Sequence, residues 1–164
     1  PDGAVTLYHD GNAKIATTND GVSITGMTTT SAGMTFNGML KEEVEITAGK
    51  LSANTNIDLA DGMIHLFTTT ETATCTPNIR FNSSYSLNNK MATGQAVSIT
   101  VITTAAAAAY SANWTVDGSA VTEEWNGGSA PSAGGDGGYD CYTITLLKTG
   151  SGAFVVLANV SNFA

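Results

Sequence analysis

The chain has 164 residues and a formal charge of −8, and only 12% of its side chains are charged against 42% hydrophobic. Its few cations, Lys14, Lys41, Lys50, Arg80, Lys90 and Lys148, are scattered, which excludes nucleic acid as a partner because duplex binding needs clustered Lys and Arg to displace phosphate counterions. No apolar run reaches the roughly eighteen residues of a spanning helix, so no membrane insertion is expected, and polarity carried by Thr, Ser, Asn and Gly fits extended β structure better than a cytosolic α/β enzyme.

In chain order, the first signal is a hairpin. Val5-Thr6-Leu7-Tyr8-His9 meets Asp10-Gly11-Asn12, residues that tolerate positive φ, and the chain returns through Lys14-Ile15-Ala16-Thr17. A repeat follows: Gly21-Val22-Ser23-Ile24-Thr25-Gly26-Met27 is echoed twelve residues on by Gly33-Met34-Thr35-Phe36-Asn37-Gly38-Met39. Looser copies open at Gly3 and Gly62, which predicts a strand-and-turn unit used serially. Each copy offers about two apolar residues to one face of a ribbon, with nothing in its own sequence to cover them. Covering that face calls for further repeats or for identical chains wound about a common axis, and so few copies favour identical chains. Alternation across Glu43, Val44, Glu45, Ile46 and Thr47 predicts a strand there rather than a helical turn.

From Asp61-Gly62 onward the apolar runs lengthen, at Met63 to Phe67, Val97 to Ile102, Tyr142 to Leu147 and Phe154 to Leu157. Apolar residues on both faces of a strand belong in a two-layer arrangement, so this part is predicted to be a β-sandwich or barrel of about seven strands. The last two runs form a hairpin closed by Thr149-Gly150-Ser151-Gly152. The expected fold class is therefore all-β, a repetitive stem over residues 1–60 followed by a globular head over residues 61–164. Ala105 to Ala109 is too short to nucleate a helix and reads as a tight, closely packed connection. Gly127 to Gly138 reads as a long surface loop, either mobile or fixed by contacts with a neighbour.

Candidate sites are few. Gly134-Gly135-Asp136-Gly137-Gly138-Tyr139-Asp140 is near the calcium-binding pattern GGxGxD, but the required Asp would fall at Tyr139, so the loop predicts no metal. His9 and His65 are single, with no partner at ligand spacing, and no pattern calls for a cofactor. Glu42-Glu43 and Glu123-Glu124 are strand neighbours that point to opposite faces, so neither pair brackets a glycosidic bond by itself. Cys75 and Cys141 form no CxxC pattern and read as buried free thiols or as one disulfide. The aromatics Tyr110, Trp114, Trp125 and Tyr139, with Asp136 and Asp140, lie in or beside segments rich in Asn, Ser, Asp and Gly, a composition suited to carbohydrate contact. Trp114, in Asn113-Trp114-Thr115-Val116, reads first as a core residue, whereas for Trp125 core and surface readings stand level.

The pattern Val5-x-Leu7-Tyr8-His9-Asp10-Gly11-x-x-Lys14-Ile15-x-Thr17-Thr18-x-Asp20-Gly21-Val22-x-Ile24-Thr25-Gly26 resembles a repeat of tail fibres and related appendages of tailed bacteriophages, of the marine and cyanobacterial kind. Pro77 to Phe81, Leu87 to Met91 and Trp125 to Pro131 are similar to C-terminal domains of the same kind of fibre. The motifs are structural and carry no catalytic signature. The resemblance implies a virion structural protein, a homotrimer with an intertwined β stem attached to other virion proteins, and a distal head for the host surface, whose polysaccharide or lipopolysaccharide would be the ligand. The rival expectations are a purely structural or capsid-decorating appendage and a polysaccharide depolymerase. A chain that does not open on Met also reads as a fragment or a processed product.

Overall fold

The computed structural model describes residues 3–163 and divides into two units, Pro1–Leu40 and Lys41–Ala164. Secondary structure is almost entirely strand, so the protein is all-β.

In the first unit β1 (Thr6–His9), β2 (Asn12–Thr18) and β3 (Gly21–Ile24) form an antiparallel sheet in the order β1-β2-β3. Asp10 and Gly11 both take positive φ, 48° and 75°, the pair of left-handed conformations that a tight two-residue hairpin requires. The register places Leu7 opposite Ile15 and Ile15 opposite Ile24, while Thr17 faces Val22 and accepts the Val5 amide on its hydroxyl. Val5, Leu7, Ile15, Val22 and Ile24 therefore share one face. Nothing among the described residues of the unit covers it, and no residue from 3 to 40 is buried. The second copy of the repeat, Gly33 to Met39, forms no strand, contrary to the serial strands expected. Its alternation supplies side chains for a face, but no strand in this unit is paired with its backbone, and an unpaired ribbon gains no ladder hydrogen bonds.

The second unit begins before residue 60. Strand β4 (Val44–Thr47) pairs in parallel with β6 (Ile64–Glu71), and β5 (Asn56–Asp58) pairs in parallel with β7 (Asn78–Arg80). The remaining elements are a short helix α1 (Leu87–Lys90), β8 (Ala96–Ala105), β9 (Thr115–Val116), β10 (Ser119–Ala120), β11 (Glu123–Trp125), β12 (Tyr139–Gly150) and β13 (Ala153–Phe163). They make a six-stranded sheet in the order β11-β13-β12-β8-β6-β4 and a four-stranded sheet in the order β10-β9-β7-β5. The β12–β13 hairpin anticipated from sequence is the longest pairing, running from Tyr139 opposite Phe163 to Gly150 opposite Ala153.

One core lies between the two sheets. Ile57, Ile79 and Val116 come from the smaller sheet, and Phe67, Ile99, Val101, Tyr142, Ile144, Leu146 and Val156 from the larger. Burying each such aliphatic chain stabilises by about 1.5–3 kcal/mol relative to leaving it in water. Trp114 and Leu87 belong to the same core. Period-two burial along β8 and β12 shows that the inner face of the larger sheet is covered, while its outer face stays partly exposed.

The Ala-rich and Gly-rich segments fit together. Gly134 donates its amide to the Ala107 carbonyl at 3.0 Å and Gly137 donates to Ala105 at 2.9 Å. A Cβ on Gly134 would lie 2.2 Å from the Ala109 carbonyl oxygen, so only glycine fits. The long loop is thus fastened to its own chain. Cys75 and Cys141 are free thiols.

His65 sits on the inner face of β6, 3% exposed, with its Nε2 3.0 Å from the Gly62 carbonyl oxygen. Burial pushes the imidazole below its ordinary 6.5, against the raising influence of that bond and of Glu45, Asp61 and Asp58. The neutral ring therefore contributes stability that is fully present above pH 6.5 and is lost as the pH falls through the lower folded-state value. Urea denaturation across this range is expected to show a falling midpoint on acidification, and His65→Gln is expected to flatten that part of the profile.

Candidate functional site

A polar concavity lies at one side of the four-stranded sheet. Along β7 the side chain of Ile79 enters the core, so Asn78 and Arg80 point the other way. They line a cleft of about 360 Å³ with Asn82 to Ser86, Asp117 and Gly118. Each wall is fixed by a local bond. Asn78 Oδ1 accepts from Thr115 Oγ1 at 3.0 Å and from the Gly118 amide at 2.7 Å. Arg80 makes a bidentate pair with Asp58, Nε to Oδ1 at 2.5 Å and Nη2 to Oδ2 at 3.1 Å. Asn82 Oδ1 accepts the amides of Ser84 and Tyr85, at 2.9 and 2.8 Å, and so shapes the loop.

Tyr85 projects from that loop with 55% of its surface exposed. Lys90 Nζ lies 4.4 Å from its ring centroid and 4.9 Å from that of Phe81, a cation–π contact that restrains the exposed ring. Asp117, at φ 52°, accepts the amides of Leu87 and Asn88 at 2.7 and 2.8 Å, while Ser86 Oγ accepts that of Asn89. Between them they cap α1, the four-residue helix that carries Lys90. Lys148, buried, donates its Nζ to the carbonyls of Asn88 and Met91 and ties the same helix to β12.

These bonds occupy the carboxylates of Asp58 and Asp117. Arg80 Nη1, the Asn82 amide nitrogen and the hydroxyls of Ser83, Ser84 and Tyr85 keep hydrogen-bonding capacity to spare among the described residues. A restrained ring beside several amide, hydroxyl and guanidinium donors suits a polyhydroxylated ligand, whose C–H face meets the ring and whose hydroxyls meet the donors.

The residues anticipated from sequence do not form this cleft, nor do they meet one another. Trp114 is 1% exposed, in contact with Tyr142 at 5.6 Å between ring centroids, and Asp140 is fully buried. Both are removed from any surface contact by the packing of the core. Asp140 Oδ1 accepts from Asn162 Nδ2 at 2.7 Å, and burial pushes its carboxyl above the usual range. Tyr110 is half-buried beside a hollow of about 250 Å³ with Cys75 and Asn113. Trp125 is half-buried in a groove of about 340 Å³ with Asn126, Leu157 and Asn159. Tyr139 lies on the outer face of the larger sheet, in an apolar hollow of about 500 Å³ with Leu66, Ile102, Cys141 and Phe163. Asp136 is exposed in the Gly-rich loop at φ 51°. Of the two carboxylate pairs, Glu123 is committed to the Trp114 backbone amide. Among the described residues, no three His, Cys, Asp or Glu side chains converge as metal ligands.

The cleft was missed because its cue, Asn82-Ser83-Ser84-Tyr85-Ser86, is an ordinary turn composition. Pairing of β5, β7 and β9 is what brings Asp58, Arg80 and Asp117 beside that turn.

Fold and site together define an all-β protein with a polar surface cleft. No family model, curated protein or solved structure matches the chain.

Proposed function

We propose that this chain is part of a trimeric virion appendage, of the phage tail-fibre kind, in which three copies share a β-rich stem and present the second unit to glycan on a host surface. The observation that carries this reading is the uncovered apolar face of Val5, Leu7, Ile15, Val22 and Ile24, which are 66%, 57%, 39%, 63% and 50% exposed. A three-stranded sheet with no buried residue has no core of its own. Identical chains brought together about an axis supply one, and the resemblance of the hairpin and repeat to fibre sequences names the kind of assembly. Light scattering on the full chain is expected to give a mass near three times 16.8 kDa, and a monomer at all concentrations would sink the proposal.

The attachment role rests on the Tyr85 cleft. A weak monosaccharide-scale site becomes effective when three are presented together. Tyr85→Ala removes the ring and is expected to cost about 1 kcal/mol per site, which over three sites lowers avidity for host envelope polysaccharide by about a hundredfold. Unchanged capture by Tyr85→Ala protein on immobilised polysaccharide would leave a purely structural appendage as the better reading.

A further inference from the structure

The outer face of the six-stranded sheet is unusual for a surface. The strand register aligns Ile46, Leu66, Ile102, Cys141 and Ser161 in one row and Tyr139 opposite Phe163 in another. Toward the other end, Thr145 stands opposite Leu157 and Leu147 opposite Val155. Ile46, Tyr139, Phe163, Leu157 and Val155 are 62%, 51%, 57%, 46% and 40% exposed.

We propose that this face is where copies of the chain pack against one another, a contact separate from that of residues 3–40 and resting on the self-association proposed above. Three observations commit the face to a second copy. First, size: six strands about 4.8 Å apart and the run from Tyr139 to Leu147 at about 3.4 Å per residue enclose roughly 600 Å² before side-chain relief is counted. That approaches the roughly 800 Å² per partner of a stable standard interface. Second, charge: a chain carrying −8 repels its own copies, and around a symmetry axis like meets like. From β4 to β13 the outward strand positions carry no charge, being apolar or hydroxyl-bearing apart from the amide of Asn159 opposite Thr143, and Glu124, beside Leu157, stands only on edge strand β11. Third, shape: the apolar hollow of about 500 Å³ walled by Leu66, Ile102, Cys141, Tyr139 and Phe163, toward one end of the face, can receive a large apolar side chain from a second copy.

Ile102→Glu puts a charge in that hollow, and Leu157→Glu, at a position 46% exposed and outside the hollow, puts one elsewhere on the same face where the core is untouched. In a Cys75→Ser background, Cys141 becomes the one thiol of the full chain and reports on the face. The expected result is that Cys141 resists maleimide in the assembled protein. Either glutamate variant, folded by circular dichroism, should react at least about tenfold faster and should assemble only at about tenfold or greater concentration by light scattering. Two results would overturn the proposal while leaving a trimer intact: free reaction of Cys141 in the assembled wild type, or assembly of both variants at the wild-type concentration. A full chain that stays monomeric would remove this contact together with the function proposed above.

Discussion

Trp114→Ala is expected to destabilise the second unit by about 3–5 kcal/mol, the usual cost of truncating a large buried aromatic. The side chain is 1% exposed and stacks at a tilt of 59° against Tyr142, itself buried and accepting the Ser111 amide on its hydroxyl at 3.0 Å. Burial pushes the Tyr142 phenol up to about 12. Removing the indole opens a cavity between the two sheets that Val116 and Ile79, held in paired strands, are poorly placed to fill. The fluorescence of Trp125, the other tryptophan of the chain, reports the unfolding of this unit in urea. Trp114→Phe, which keeps a ring against Tyr142 and removes an indole N–H that has no partner among the described residues, is expected to lose much less. A loss below about 1 kcal/mol in Trp114→Ala would mean that the sheets close over the gap.

Asp117→Ala is expected to cost about 2–4 kcal/mol and to weaken ligand capture as well. Two amides, of Leu87 and Asn88, lose their acceptor, at about 1–3 kcal/mol for each left unsatisfied in a buried place, less where water reaches them. Alanine must also adopt a φ near 52°, a left-handed conformation that costs about 1 kcal/mol and that Asp and Asn tolerate better. Because Asp117 fastens the helix that carries Lys90, and Lys90 restrains the Tyr85 ring, the cleft loosens even where the unit remains folded. Asp117→Asn keeps the φ tolerance and one acceptor, and is expected to recover more than half of the stability. Thermal denaturation of the three proteins, read beside their retention on polysaccharide, separates the structural loss from the binding loss. Equal stability of Asp117→Ala and wild type would show that the α1 amides are satisfied by water.

Much of the local structure was legible. Asp10-Gly11 announced its hairpin because few residues accept two positive φ values in succession. The run from Tyr142 to Leu147 and its partner from Phe154 announced the β12–β13 hairpin as two apolar runs about a Gly-bearing turn. The site was much less legible. Trp114 and Trp125 sit in similar polar surroundings in sequence, yet one fills the core and the other is half-buried at a groove, because only the sheet pairing decides which side of a short strand faces inward. Asp140 looked like a loop carboxylate and lies instead on the inner face of β12, its Oδ1 bound by Asn162.

The sequence by itself determined the fold class, the first and last hairpins, the positions of β6, β8, β12 and β13 and the uncovered apolar face near the start of the chain, because all of these depend on apolar pattern and turn chemistry within a few residues. Only the tertiary structure decided that β4 and β5 join the second unit through parallel pairs, that Arg80, Tyr85 and Asp117 meet at one cleft, and that the larger sheet leaves an apolar face open. Parallel neighbours are joined by long crossovers, and a strand apolar on both sides reads the same whether one face or both are covered. Such information resides in contacts between residues far apart in the chain, where local periodicity has nothing to say.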